Sequence, residues 1–309
     1  MISLLHSSQQ SGVIQRHIAA PSFGLQDLAG DVYVLGCISA DWPDKSVENE
    51  FRNNIKWITE HGVDISQPDY CRKVEPCSAA LPLTNLQPRN KDKDLDCIRQ
   101  VLKTRRCRYL ARELDWYLED IHGNRLYRLI PSEYNMQQLI NALVDSDSTN
   151  PTAINALVVG RASGQLGELD SVTVTKFRSM TSHDIAKGLP KLHNAQSCRD
   201  LTHVIELYLS LANNNGVTDE ERALNYLLTY GYDFYERMYR QRSDGSHQSI
   251  HLVSVDARSH YAGERTLVYV VFNFQDSKTS AVESWYSTVD VTDRFPFLVS
   301  KFEPYINVL

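Results

Sequence analysis

The sequence predicts an α+β fold: a central sheet with flanking helices, followed by an antiparallel β-meander at the C-terminal end. Three observations carry this expectation. β-rich runs and helical spacings are interspersed through residues 31–230. Thr218-Asp219-Glu220-Glu221 is a capping box opening a helix. From His251 to Val291 apolar and polar residues alternate between turn signals. A chain of 309 residues, 42% hydrophobic and 23% charged, is long and apolar enough to bury a core and unlike a disordered polymer.

Residues 1–28 are rich in Ser and Gln without a sustained period, which reads as a tail or linker. An ordered region is expected over 29–309. Val32 to Ile38 is a β-rich run bounded by Gly30 and Asp41-Trp42-Pro43, as for a strand covered on both faces. Asp44 can cap the next helix, because Val47, Phe51, Ile55 and Ile58 recur at intervals of four and three up to Gly62. Four prolines break residues 63–93 into a long irregular connection. Leu95, Ile98, Val101 and Leu102 restore a helical pattern, and His122-Gly123-Asn124 separates two β-compatible runs between Tyr109 and Ile130. Met136, Leu139, Ile140 and Leu143 mark a further helix. The polar stretch 145–152 then offers a boundary between two subdomains.

Strands are expected at Ile154–Val159 and Val172–Phe177, a helix near Ser197–Asn213, and the capped helix after Thr218. The meander closes the chain, with turns at Gly263 and Asp276-Ser277. Phe295, Phe297 and Leu298 are expected to anchor its last segment to the core.

Charge and composition exclude several function classes. A net charge of −6 opposes general binding to phosphate backbones, so no nucleic-acid partner is expected. No apolar stretch approaches the ~20 residues of a membrane span, and no export signal is visible. Six irregularly spaced cysteines suit reduced thiols in a cytoplasm. The sequence lacks a Gly-x-Ser-x-Gly elbow, a Walker A loop, a His-Glu-x-x-His helix and paired Cys-x-x-Cys knuckles. Gly160, Gly164 and Gly167 follow a predicted strand at spacings that suit a plain turn better than a phosphate cradle.

Two constellations remain. Cys71, Cys77, Cys97, Cys107 and Cys198, with His193, supply the ligand types zinc prefers, although none of their spacings is the short pair typical of a structural site. Zinc is the one cofactor this group suggests; buried, unlinked thiols are the plainer reading. Lys103, Arg105, Arg106, Arg108 and Arg112 concentrate positive charge in an acidic chain. A solvated helix face is the ordinary explanation, and a contact for an acidic peptide or partner is the functional one, with Arg105, Arg108 and Arg112 as its residues. Whether residues 105–112 continue a helix or begin a strand, Arg108 and Arg112 share a side. His247, His251 and His260 suit a strand surface, and Asp290 and Asp293 suit turn capping rather than acid–base work.

Four stretches carry a family resemblance: Asp31–Gly36 with Val47–Phe51, Arg108–Leu114, Asp219–Tyr226, and Val289–Val299. Together they resemble the C-terminal domain of PatA/PatG-type cyanobactin maturation proteins, a domain without settled activity. The resemblance runs from about residue 30 to the C-terminus. No segments for the subtilisin-like triad of such proteins are present. It implies a non-proteolytic accessory or binding domain in ribosomal peptide biosynthesis, recruiting a precursor peptide or partner enzyme; a homodimer is a separate expectation. The alternative is a peptide-modifying enzyme with a metal-assisted site. A binding role is read ahead of catalysis.

Overall fold

The computed structural model describes residues 15–18, 30–61, 91–145, 154–163, 169–189, 195–243 and 250–305. The chain divides into two compact units, Gly24–Val217 and a smaller one that combines Met1–Phe23 with Thr218–Leu309. A short strand from the expected tail, β1 (Gln15–Ile18), belongs to the smaller unit.

In the larger unit the central sheet closes on itself. β2 (Asp31–Asp41) is followed by α1 (Lys45–His61), α2 (Lys91–Lys103), a 3₁₀ helix (Arg105–Glu113), β3 (Asp115–Glu119) and β4 (Arg125–Ile130). Next come α3 (Glu133–Asp145), β5 (Ala156–Ser163), β6 (Ser171–Ser179), α4 (Ser182–Lys187) and α5 (Ala195–Leu209). The barrel order is β2-β3-β4-β6-β5 and back to β2, with β4 and β6 parallel and every other pair antiparallel. A five-stranded Greek-key barrel with this order, and a helix between its third and fourth strands, has the oligonucleotide/oligosaccharide-binding (OB) topology. β2 serves two neighbours, pairing its first half with β5 and its second with β3. At the switch, Asn155 donates its N–H to the Gly36 carbonyl and its Oδ1 accepts from Ile38 N–H, both at 3.0 Å.

Local chemistry explains the elements around the barrel. Asp44 Oδ1 accepts from Ser46 N at 2.7 Å and Val47 N at 3.0 Å, capping α1. Phe51, Ile55 and Ile58 of α1, Ile98 and Val101 of α2, and Leu139 and Leu143 of α3 join Val34, Trp116, Leu118, Val158 and Phe177 of the barrel in one core. Gly123 turns the β3–β4 hairpin with φ +78°, and Asp120 Oδ1 accepts from the N–H groups of His122 and Asn124. The boundary expected at 145–152 lies inside this unit, because β5 after it pairs with β2 before it. Gly160 is no turn: it sits within β5 at a register shift, where a Cβ would strike the Thr173 carbonyl of β6. Gly164 and Gly167 lie outside the described residues.

The smaller unit packs two helices on one sheet. α6 (Asp219–Tyr230) opens with the expected box, Glu221 N donating to Thr218 Oγ1 at 3.2 Å and Thr218 N to Glu221 Oε2 at 3.3 Å. α7 (Tyr232–Ser243) follows Gly231. β7 (Ile250–Ala262), β8 (Arg265–Asp276), β9 (Val282–Asp290) and β10 (Phe297–Pro304) form the antiparallel meander, and β1 adds to β7 in parallel. Val255, Val268, Val270, Phe272 and Val289 are buried on its inner side.

The last segment departs from expectation. Phe295, Phe297 and Leu298 are 45%, 47% and 38% exposed, so they do not anchor it. Phe302 does: its ring lies 5.5 Å from Trp285 and 5.4 Å from Phe234. The turn before β10 is held by polar contacts instead. The Arg222 guanidinium, buried on α6, donates to the carbonyls of Val291 (3.1 Å) and Asp293, and pairs with Asp219 at 3.2 Å. Asp290 accepts from Thr292 N at 2.9 Å and Arg265 Nε at 2.6 Å. Burial alone would raise the Asp290 carboxyl, but these hydrogen bonds outweigh it and hold it below its ordinary range. Asp290 thus caps the turn. No described helix is long and apolar enough to cross a membrane.

Candidate functional site

The basic stretch occupies the connection between the first two barrel strands. α2 ends where Thr104 N bonds Val101 O at 3.0 Å, and the chain tightens into the 3₁₀ helix as Cys107 N bonds Thr104 O at 2.9 Å. Three residues per turn put Cys107 and Leu110 on one line, and with Ala111 they are buried. The same geometry drives the cations outward: Lys103, Arg105, Arg106 and Arg112 are exposed and Arg108 is half-buried. The segment is neither of the two forms considered from sequence, an α-helix or a strand, because its apolar residues follow a three-residue period.

Three residues per turn set Arg108 and Arg112 about a third of a turn apart rather than on one side, and each reaches a different residue of α3. Arg108 Nη1 donates to Asn141 Oδ1 at 3.3 Å, and Arg112 Nη2 pairs with Glu133 Oε2 at 2.8 Å. Both partners of the latter pair are mostly exposed, so it stabilises by no more than about 1 kcal/mol. Arg106 lies 4.8 Å over the Trp57 ring, a cation–π contact that fixes the guanidinium at the surface. The exposed Tyr109 hydroxyl donates to Glu50 Oε1 at 2.8 Å, which holds the phenol protonated beyond its ordinary range. The result is an aromatic-flanked cationic surface whose guanidinium groups can take carboxylates in bidentate fashion.

Of the cysteines and histidine that suggest zinc, only Cys97 and Cys107 have described side chains. Cys71, Cys77 and His193 lie outside the described residues, as does the side chain of Cys198. Cys97 and Cys107 are buried, and the Cys107 thiol donates to Asn54 Oδ1 at 3.4 Å. Burial pushes the Cys107 thiol up, against the pull of Arg106. No group of three or more His, Cys, Asp or Glu side chains suited to a metal ion occurs among the described residues. His251 and His260 are exposed on β7, as suits surface residues; His247 lies outside the described residues.

Sequence reasoning passed over Cys37. Burial, then the charges of Glu119 and Asp120, push its thiol from 9.0 up to about 12. The folded chain thus keeps a proton that the unfolded chain releases above pH 9, and stability present below pH 9 is lost as pH rises towards 12. The contribution falls by about 1.4 kcal/mol per pH unit in that window. Urea denaturation from pH 8 to 10.5 should show a steeper decline in the parent than in Cys37→Ala. Equal slopes would contradict it.

The sequence family described as PatG Domain matches residues 31–177, which hold the barrel except for the last two residues of β6. The family described as PatG C-terminal matches residues 191–305, from just before α5 to the end of the meander. No curated protein sequence matches the chain. A solved structure described as a PatG domain of unknown function aligns with a TM-score of 0.58 and 15% identity. The alignment covers 89% of this chain and 98% of that one, a likeness of fold.

Proposed function

We propose, from the premise that this chain is a PatG-type domain protein, that it is a non-proteolytic binding domain of a cyanobactin-type pathway. It recruits an acidic segment of a precursor peptide or partner enzyme through the basic 3₁₀ helix. One observation carries the reading: the buried line of Cys107 and Leu110 forces Arg105, Arg106 and Arg112 outward, with Tyr109 among them. Their place in the chain supports it, because OB barrels take ligands with the loop between their first two strands, and this helix belongs to that connection. Like charges clustered on a net acidic chain disfavour one another, which an anionic partner offsets.

The test is a double variant, Arg105→Gln with Arg112→Gln, and a fluorescein-labelled Glu-rich peptide as probe. Binding should weaken about tenfold, or about 1.4 kcal/mol, with a shallower dependence on salt. The melting temperature should hold, because the Arg112–Glu133 pair is exposed. Unaltered affinity with lowered stability would make the arginines structural.

A further inference from the structure

We propose that the edge of β7 away from β8 is a strand-acceptor slot, which binds an extended peptide in parallel register and which β1 holds closed in cis. The meander β7-β8-β9-β10 is complete from consecutive residues, whereas β1 comes from the opposite end of the sequence. Strand addition to a finished sheet is a general mode of peptide recognition, with main-chain hydrogen bonds giving affinity and flanking side chains giving selectivity.

The slot has two built ends. Gln15–Ile18 pair with Ser254–Ala257, four residues of a strand that runs from Ile250 to Ala262. A register shift between Leu252 and Ser254 breaks the edge on one side. On the other side Glu220 of α6 takes both the N–H of Ser259 (3.2 Å) and its hydroxyl (2.6 Å). Ser259 N–H therefore points away from β8, and by alternation those of Val255 and Ala257 point into the slot. What lies between the shift and Glu220 is a length of edge matched to a short extended segment.

The slot also has a polar wall. Asn273 on β8 donates to Ser254 Oγ at 2.9 Å and to Asp256 Oδ2 at 2.6 Å, while its Oδ1 accepts from Ser284. The Asp256 carboxylate is thereby fixed beside the slot, with acceptor capacity left for a donor on the incoming strand. The position facing Asp256 in register is that of His17. The slot selects an extended peptide with a cationic or hydrogen-bond-donating residue there, and an acidic one is rejected by like charge.

The test uses the full chain carrying Arg16→Pro and His17→Pro, which removes a ladder donor whichever alternate residue supplies it. The probe is a fluorescein-labelled peptide of residues 11–23. It contains no Asp or Glu, so its capture does not depend on the basic 3₁₀ helix. The variant should bind it saturably, the parent at least tenfold more weakly, and a probe carrying His17→Glu at least tenfold more weakly than the unaltered probe. A variant that keeps the parent's melting profile and binds neither probe would overturn the proposal, as would equal binding by parent and variant. If the variant does not fold, hydrogen exchange on the parent decides. Exchange of Val255 and Ala257 amides faster than those of β8, and slowed by excess probe, supports the slot; exchange matching β8 and indifferent to probe overturns it.

Discussion

The Arg222→Met variant is expected to unfold with about 3–5 kcal/mol less free energy than the parent. Methionine fills most of the arginine's volume, so packing alone is little disturbed. What is lost is the donor fork. The carbonyls of Val291 and Asp293 give up a charged donor, and Asp219 gives up its counterion, in a region where burial already raises the Asp219 carboxyl despite Arg222 beside it. A buried acceptor left without a partner costs about 1–3 kcal/mol. Urea denaturation followed by circular dichroism measures the loss, and Arg222→Lys, which keeps charge but not the fork, should fall between. A loss below about 1 kcal/mol would show that water replaces the guanidinium.

In the larger unit Gly36→Val is expected to cost about 3 kcal/mol, at the upper end of overpacking effects. A Cβ at residue 36 would stand 2.5 Å from the Glu119 carbonyl and 2.9 Å from Leu118 Cγ. The first of these is backbone, which cannot rotate aside. Gly36 is also the residue at which β2 leaves β5, immediately before Cys37 takes up β3. Relief must come from prying β2 off β3, with loss of the Trp116 and Leu118 packing beneath. Gly30→Val is the control, since nothing lies within 4 Å of a Cβ there. Equal stability of the two variants would mean that the barrel tolerates opening at this point.

Local signals were legible and remote pairings were not. The α1 cap at Asp44, the α6 box at Thr218 and Glu221, the Gly123 hairpin and the meander all depend on residues a few positions apart, which periodicity reads directly. Barrel closure depends on β2 meeting β5 and on β4 meeting β6 in parallel, partners far apart in sequence. No local pattern encodes that. The polar stretch 145–152 looked like a boundary because a connection within a barrel and a linker between units share the same composition. Phe295, Phe297 and Leu298 read as an apolar anchor because they are hydrophobic, whereas Arg222 holds the turn before β10 through backbone carbonyls that sequence does not display. At the basic helix, sequence found the arginines themselves. It missed that Asn141 and Glu133 of α3 are what they meet, since a side chain's partner across a fold leaves no trace in spacing.

The smaller unit takes strands from before and after the stretch that forms the larger one, and this orders events during synthesis. Gly24–Val217 leaves the ribosome as one contiguous stretch, and its barrel has every strand it needs once β6 has emerged. β1 is made before the barrel, yet the edge it pairs with does not exist until β7 has been translated. While the barrel strands are being made β1 is without its mate, and β7 emerges into the presence of a strand that has been waiting for it. The docking of β1 is therefore a late, long-range closure, set apart in time from the folding of the barrel.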